Sequence, residues 1–189
     1  MFICGPAGPI LGNLLVAGAG GIITLLCIAA AVKMILFPGE TSADHPKRRI
    51  LGFACPRSEV SGRRLWKLFA QRFGSPEKFF TEHFVVNYCP LAFLAESGAN
   101  LTPNKLPRTE RENLFAFCDD HLRRVLEILE PEWLIGVGGF AQARGELVVA
   151  EQKIRVGQIL HPSPASPKAN RQDWTKTAAQ ELIQQGVWK

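Results

Sequence analysis

The sequence predicts an α/β fold with a parallel sheet covered by helices on both faces. Three observations carry that reading. From His45 onward, stretches with apolar residues every three or four positions alternate with short runs rich in Val, Ile and Phe. Each of those runs meets a Gly or Pro within two residues of its end. The bulk composition is that of a globular chain: 189 residues, 47% hydrophobic, 21% charged, net charge +5. That is room for one domain, or one domain with an appendage. It excludes wholesale disorder, and five cysteines, sparse and odd in number, exclude a small disulfide scaffold.

The elements follow in chain order. Ser61 is placed to cap a helix running to about Phe73, with Leu65, Leu68, Phe69 and Phe73 on one face and Gly74 at its end. Ser75-Pro76 starts a short turn. His83–Tyr88 reads as a compact strand ended by Cys89-Pro90. A long loop reaches Pro107, and loops of that length are usually functional or disordered. Thr109-x-x-Glu112 has the form of a capping box that opens a helix to about Glu130, with Leu114, Cys118, Val125 and Leu129 inward and Pro131 as its stop. Trp133–Val137 is a buried-type strand, and Gly138-Gly139 turns it into a helix over Phe140–Glu151. Ile154–Leu160 is a further strand. A loop with three prolines spans His161–Asp173, and a last helix runs Asp173–Gln185, with Gly186 beyond it.

Charge divides the chain differently. No charged residue precedes Lys33, and residues 1–44 hold Lys33, Glu40 and Asp44, a net of −1. Residues 45–189 hold the remaining 21 basic and 15 acidic residues, a net of +6. Residues 1–44 therefore read as a divergent apolar segment ahead of a 45–189 domain. Ile10–Leu36 is long enough to cross a bilayer. Lys47, Arg48 and Arg49 behind it would keep the rest of the chain in the cytoplasm. A strand or helix of a soluble core explains the same stretch equally well. A secretory signal lacks its basic start. A nucleotide-binding turn at Leu14–Gly21 lacks the third glycine, which would fall at Ile23.

Two polar residues stand where α/β sheets bind ligands, at the carboxyl ends of strands. Asn87 ends one strand. Its amide presents a donor and an acceptor side by side, which matches N3–H and O4 of uracil and mismatches cytosine. Capping of the strand-to-loop turn is the plainer role. His161 follows another strand, and Pro162 and Pro164 stiffen its surroundings. An imidazole held there can donate to a developing oxyanion; a solvated loop histidine is the plainer role. Cys118-x-x-His121 has no second pair to complete a metal site, and reads as a buried cysteine beside a surface histidine. Cys55 and Cys89 read as small packed hydrophobes. The basic residues near these loops, among them Arg63, Arg64, Lys168 and Arg171, suit a polyanion or a solvated surface.

Five stretches sharpen the reading. They begin His45-Pro46-Lys47-Arg48, Cys55-Pro56-Arg57-Ser58-Glu59-Val60-Ser61-Gly62, Asn87-Tyr88-Cys89-Pro90-Leu91, Gly98-Ala99-Asn100-Leu101-Thr102-Pro103, and His161-Pro162-Ser163-Pro164 through Asn170. In wording, order and spacing they resemble the single-strand-selective monofunctional uracil-DNA glycosylases over about residues 45–189. The resemblance implies a three-layer α/β/α sandwich with a mostly parallel four-stranded sheet. It implies base excision repair: uracil or a 5-modified uracil is flipped from DNA and its N-glycosidic bond hydrolysed. By position, Asn87 would recognise the base and His161 would stabilise the departing anion. Ser163, Pro164, Ala165, Ser166, Lys168, Asn170 and Arg171 would form the loop that wedges into DNA and grips phosphates. Single- and double-stranded DNA containing uracil is the implied partner, with no metal, no cofactor and a monomeric protein.

One stretch departs from the family. Its first motif has the form G-M-N-P-G-P-F-G, in which the Asn positions the attacking water. Here the corresponding residues read Cys4-Gly5-Pro6-Ala7-Gly8-Pro9-Ile10-Leu11-Gly12-Asn13, with Pro6 in place of that Asn when Gly8-Pro9 is aligned. The alternative is thus a catalytically impaired DNA-binding homologue, tethered to a membrane if Ile10–Leu36 spans one, or a chain whose first 44 residues are an aberrant start. The expected location is cytoplasmic, at the nucleoid in a bacterial cell, with the amino-terminal anchor as the variant.

Overall fold

The computed structural model describes residues 1–5, 46–47, 59–89, 91, 93–150 and 152–189. The apolar stretch Ile10–Leu36, the glycine turn at Leu14–Gly21, the first-motif residues beyond Gly5, Cys55 and Pro90 lie outside them. No helix among the described residues is long and apolar enough to cross a membrane.

Among the described residues, a four-stranded sheet orders the molecule as β2-β1-β5-β6. Its strands are β1 (Phe2–Gly5), β2 (Phe84–Val86), β5 (Trp133–Val137) and β6 (Arg155–Ile159). Helices α1 (Val60–Phe73), α2 (Pro76–Glu82) and α6 (Trp174–Gln184) contribute to one apolar core, and α3 (Arg108–Leu129) and α4 (Gly139–Val148) to another. The strands divide their side chains between the two. Ile3, Trp133, Ile135 and Val137 enter the first core; Phe2, Cys4 and Leu134 enter the second. Alternation along a doubly buried strand produces this split, and the three-layer α/β/α arrangement follows from it. Each fully buried Leu or Phe contributes roughly 1.5–3 kcal/mol.

The sheet is mixed, which corrects the mostly parallel expectation. β5 and β6 are parallel, whereas β1 runs antiparallel to both β2 and β5. An apolar run buried on both faces packs equally well in either direction, and both ladder types satisfy its backbone. The antiparallel register extends beyond the strand: Val137 N–H donates to the Met1 carbonyl at 3.0 Å and Glu132 N–H to the Gly5 carbonyl at 3.2 Å. Residues 2–5 thus lie in the middle of the sheet, so the charge boundary near residue 44 is not a boundary of the sheet.

Several local expectations shift. Glu59, not Ser61, caps α1, and its carboxylate accepts from the N–H groups of Ser61 and Gly62. Burial works to raise the Glu59 pKa, but these hydrogen bonds outweigh it and hold the carboxyl below its usual range. The box at Thr109 does not form, because Pro107 is the N-cap residue and its carbonyl takes the first helical bond, from Arg111 N–H at 2.9 Å. Ser75-Pro76 opens the two-turn helix α2, with the Ser75 hydroxyl accepting from Lys78 N–H. Helix α4 ends at Val148, before the expected Glu151. The long loop before α3 contains a small hairpin, β3 (Phe93–Leu94) with β4 (Asn100–Leu101), and the short helical turn Pro103–Lys105.

The outer edge of β6 is covered by side chains. Gln185 accepts from Gln158 N–H at 2.9 Å and donates to the Gln158 carbonyl at 2.8 Å. Glu181 accepts from Leu160 N–H, and the Trp174 indole donates to the Leu160 carbonyl, both at 2.8 Å. Helix α6, capped by Asp173, therefore anchors the exit of β6, the point from which His161 projects.

Candidate active site at the sheet edge

Strand direction brings the candidate residues to one edge of the sheet. β2 ends at Val86, β5 at Val137 and β6 at Ile159, and the register pairs Phe2 with both Val86 and Gly136. Asn87, Gly138 and His161 therefore emerge on the same side, with Met1 between them. Asn87 and His161 follow the two outer strands. Three inter-strand steps of about 4.8 Å separate them, roughly 14 Å of sheet edge.

Beside Asn87 lies a cavity of about 300 Å³, formed also by Met1, Thr102, Asn104, Phe115 and Phe140. Asn87 is exposed and no hydrogen bond to its amide occurs among the described residues. The turn-capping role is not seen there. Its neighbour Tyr88 is buried and firmly held. The Tyr88 hydroxyl donates to Asp119 at 2.7 Å and accepts from Arg144 Nε at 3.0 Å. Arg144 also pairs with Asp119, and its guanidinium lies 5.2 Å from the Phe115 ring centroid and 5.7 Å from that of Tyr88. Burial, then the hydrogen bond to Asp119, raises the Tyr88 pKa and keeps the hydroxyl protonated. Phe140 is half exposed and packs edge-on to Tyr88 at 5.6 Å. The base-recognition candidate thus stands on a rigid aromatic and ionic footing.

His161 sits against Gly138. A Cβ on that glycine, whose φ is +91°, would come within 3.1 Å of the His161 Cβ and Cδ2. The ring accepts at Nδ1 from Ser163 N–H at 3.1 Å. With Nδ1 an acceptor, the proton of the neutral ring is on Nε2. Partial burial lowers the His161 pKa, partly opposed by the Glu59 carboxylate. The ring is thus a neutral Nε2–H donor near pH 7.

The loop beyond His161 is internally bonded. Ser166 N–H donates to the Ser163 carbonyl at 3.0 Å, closing a turn with Pro164 and Ala165 exposed at its tip. The Ser163 hydroxyl accepts from Ala165 N–H at 3.1 Å, leaving its own proton free to donate. Lys168 and Arg171, in the short helix α5 (Pro167–Arg171), are exposed. Asn170, expected at the DNA, is exposed and bonded within the loop: its amide donates to the Pro164 carbonyl at 2.6 Å and accepts from Arg64 at 3.0 Å. Cys118 is buried and His121 exposed on α3, as read from the sequence. No cluster of metal-ligating side chains occurs among the described residues.

The family model described as the Uracil DNA glycosylase superfamily matches residues 30–183. The chain belongs to the uracil DNA glycosylase superfamily. Over 144 residues it is 46% identical to a single-strand selective monofunctional uracil-DNA glycosylase of Rattus norvegicus, covering 75% of this chain and 51% of that one. Counterparts from Bos taurus and Mus musculus are each 44% identical over 146 residues, covering 76% of this chain and 53% and 52% of theirs. The chain spans about half the length of the curated relatives it matches. Within the superfamily, these relatives place it beside the single-strand-selective branch.

Asn87 and His161 were legible as polar residues at strand ends, and the Ser163–Arg171 loop through the family resemblance. The aromatic wall of Phe115 and Phe140 was not, because neither ring has a local motif. Nor was the role of Gly138 beyond that of a turn, since its neighbour His161 is 23 residues away in the sequence.

Proposed function

We propose that this chain excises uracil, or a 5-modified uracil, from DNA by hydrolysing the N-glycosidic bond of a flipped nucleotide. The observation that carries this is the hydrogen bond from Ser163 N–H to His161 Nδ1, which leaves Nε2–H as the donor at the same sheet edge as the exposed amide of Asn87. The bond from C1′ to N1 breaks with its electron pair going to the base. Water supplies the hydroxyl at C1′, and its proton ends on solvent or the base.

In this reading Asn87 pairs with N3–H and O4 of uracil. His161 donates to the O2 oxyanion of the departing base, a contribution on the order of 10²–10³ in rate. Unstacking costs a few kcal/mol. The Pro164–Ala165 tip offsets it by filling the gap, and the Ser163 hydroxyl, Lys168 and Arg171 hold phosphates on either side.

The test is single-turnover assay of the full chain on single- and double-stranded oligonucleotides holding one uracil. Alkali-labile abasic product is expected, reduced on the order of 10²–10³-fold by His161→Ala. Tight binding of uracil-containing DNA without abasic product would overturn hydrolysis and leave a DNA-binding homologue.

A further inference from the structure

Arg64 lies on α1, 97 residues before His161, among basic residues that a polyanion-binding surface would use. Its guanidinium is already occupied. Nη1 donates to the Pro162 carbonyl at 2.9 Å, and Nη2 donates to the Asn170 side-chain oxygen at 3.0 Å. Asn170 donates in turn to the Pro164 carbonyl at 2.6 Å. Arg64 and Asn170 thus grip the carbonyls on both sides of Ser163.

The first grip has a direct consequence. The Pro162 carbonyl and the Ser163 N–H belong to one peptide unit, which is planar, with the two groups pointing in opposite directions. Fixing the carbonyl on Arg64 therefore fixes the direction of the N–H that meets His161 Nδ1. A cationic donor on the carbonyl also polarises the peptide and strengthens its N–H as a donor. Pro162 is fully buried, so the plane has little room to rock.

We propose that Arg64 is a positioning residue for His161. Through the Pro162–Ser163 peptide it sets the tautomer and direction of the imidazole, with Asn170 closing the other side of the loop. This rests on the proposed role of His161, and the two are separable by experiment. Arg63 and Lys67, exposed on the same helix, remain able to meet phosphate.

The test uses the full chain with Arg64→Met, Arg64→Lys and Asn170→Ala. Single-turnover rate and DNA dissociation constant are measured on a uracil-containing single strand, and the His161 ring nitrogens are followed by ¹⁵N NMR. Arg64→Met is expected to slow the bound-state rate by about 10- to 100-fold, with DNA affinity changed by less than about twofold, because this guanidinium does not meet a phosphate. The Nε2–H tautomer preference should weaken with it, and Arg64→Lys should restore part of both. In a His161→Ala background, Arg64→Met should add no further loss.

Weakened DNA binding with an unchanged bound-state rate would make Arg64 a phosphate ligand and overturn the proposal. Losses that multiply in the His161→Ala background would also overturn it. If the wild-type chain excises no uracil, the function fails, while an unchanged His161 tautomer in Arg64→Met would separately sink the positioning role. Should Arg64→Met fail to fold, Asn170→Ala opens the other side of the clasp and is judged by the same tautomer, rate and affinity outcomes.

Discussion

Gly138 is packed against the imidazole of His161, so closely that an added Cβ would press on the ring at 3.1 Å. Its φ of +91° is a second, independent reason for glycine. Gly138→Ala should therefore cost about 1–3 kcal/mol in strain, read as a lowered Tm. It should also push the ring from its place and slow excision. Full activity in a folded Gly138→Ala protein would show that the ring position is not critical.

The bond from Ser163 N–H to His161 Nδ1 can be removed without changing the imidazole. Ser163→Pro deletes the donor, whereas Ser163→Ala keeps it. The first should lose about 10-fold or more in rate through misorientation, the second considerably less. Protonating Nδ1 would set two N–H groups against each other, and partial burial already lowers the His161 pKa below 6.5. Excision should accordingly hold steady from pH 8 to below 6.5 and fall at lower pH. A rate that rises on acidification through that range would contradict the neutral-donor role.

Asp119 and Arg144 are mostly enclosed, with side-chain exposures of 13% and 21%. Asp119→Ala leaves the guanidinium and the Tyr88 hydroxyl without their shared acceptor. A loss of about 2–4 kcal/mol is expected, at or below the cost of breaking a fully buried pair. Chemical denaturation measures it. Because Tyr88 adjoins Asn87, uracil affinity should fall as well, even in conditions where the variant remains folded.

His83 is 3% exposed, lies between the rings of Phe73 and Phe79, and among the described residues has no hydrogen-bond partner at either nitrogen. Burial lowers its pKa, opposed by Glu82, with nearby Arg72 adding to the lowering. The folded value lies below the unfolded one, near 6.5. Stability from the neutral ring is thus complete above pH 6.5 and lost as pH falls through the folded value. His83→Leu should flatten this acid dependence and add about 1–2 kcal/mol by removing unsatisfied polar atoms. Thermal melts between pH 4.5 and 7.5 test both, and an unchanged acid slope would count against the assignment.

Arg63 and Lys67 line a polar cleft of about 330 Å³ beside the 169–175 segment. Replacing both with Gln should weaken binding to uracil-containing and plain single strands alike. The salt dependence should drop by about 0.7 in log–log slope for each phosphate that is no longer neutralised. An unchanged slope would remove these residues from the interface.

Much of this was visible in the sequence. Periodicity located α1, α3 and α6 to within a few residues, and the apolar run Trp133–Val137 announced a buried strand. Neither β1 nor its direction was visible, because Phe2-Ile3-Cys4 runs into a long uncharged stretch and carries no residue that prefers one ladder over the other. Caps were misplaced where a longer side chain, Glu59, or a proline, Pro107, competed with Ser61 and Thr109. At the site, Asn87 and His161 stood out by position at strand ends. Arg64 did not, because a hydrogen bond to a carbonyl 98 residues away leaves no periodic trace.

The side chains that α6 lays along β6 have a consequence for solubility. An uncovered strand edge offers its amides to any neighbouring molecule and invites sheet growth from one copy to the next. Gln185, Glu181 and Trp174 answer the Gln158 and Leu160 backbone groups themselves, so the final helix acts as a fifth strand made of side chains. The same groups anchor the residue before His161. Shortening the carboxyl terminus would therefore damage the candidate site and open a template for self-association in one stroke.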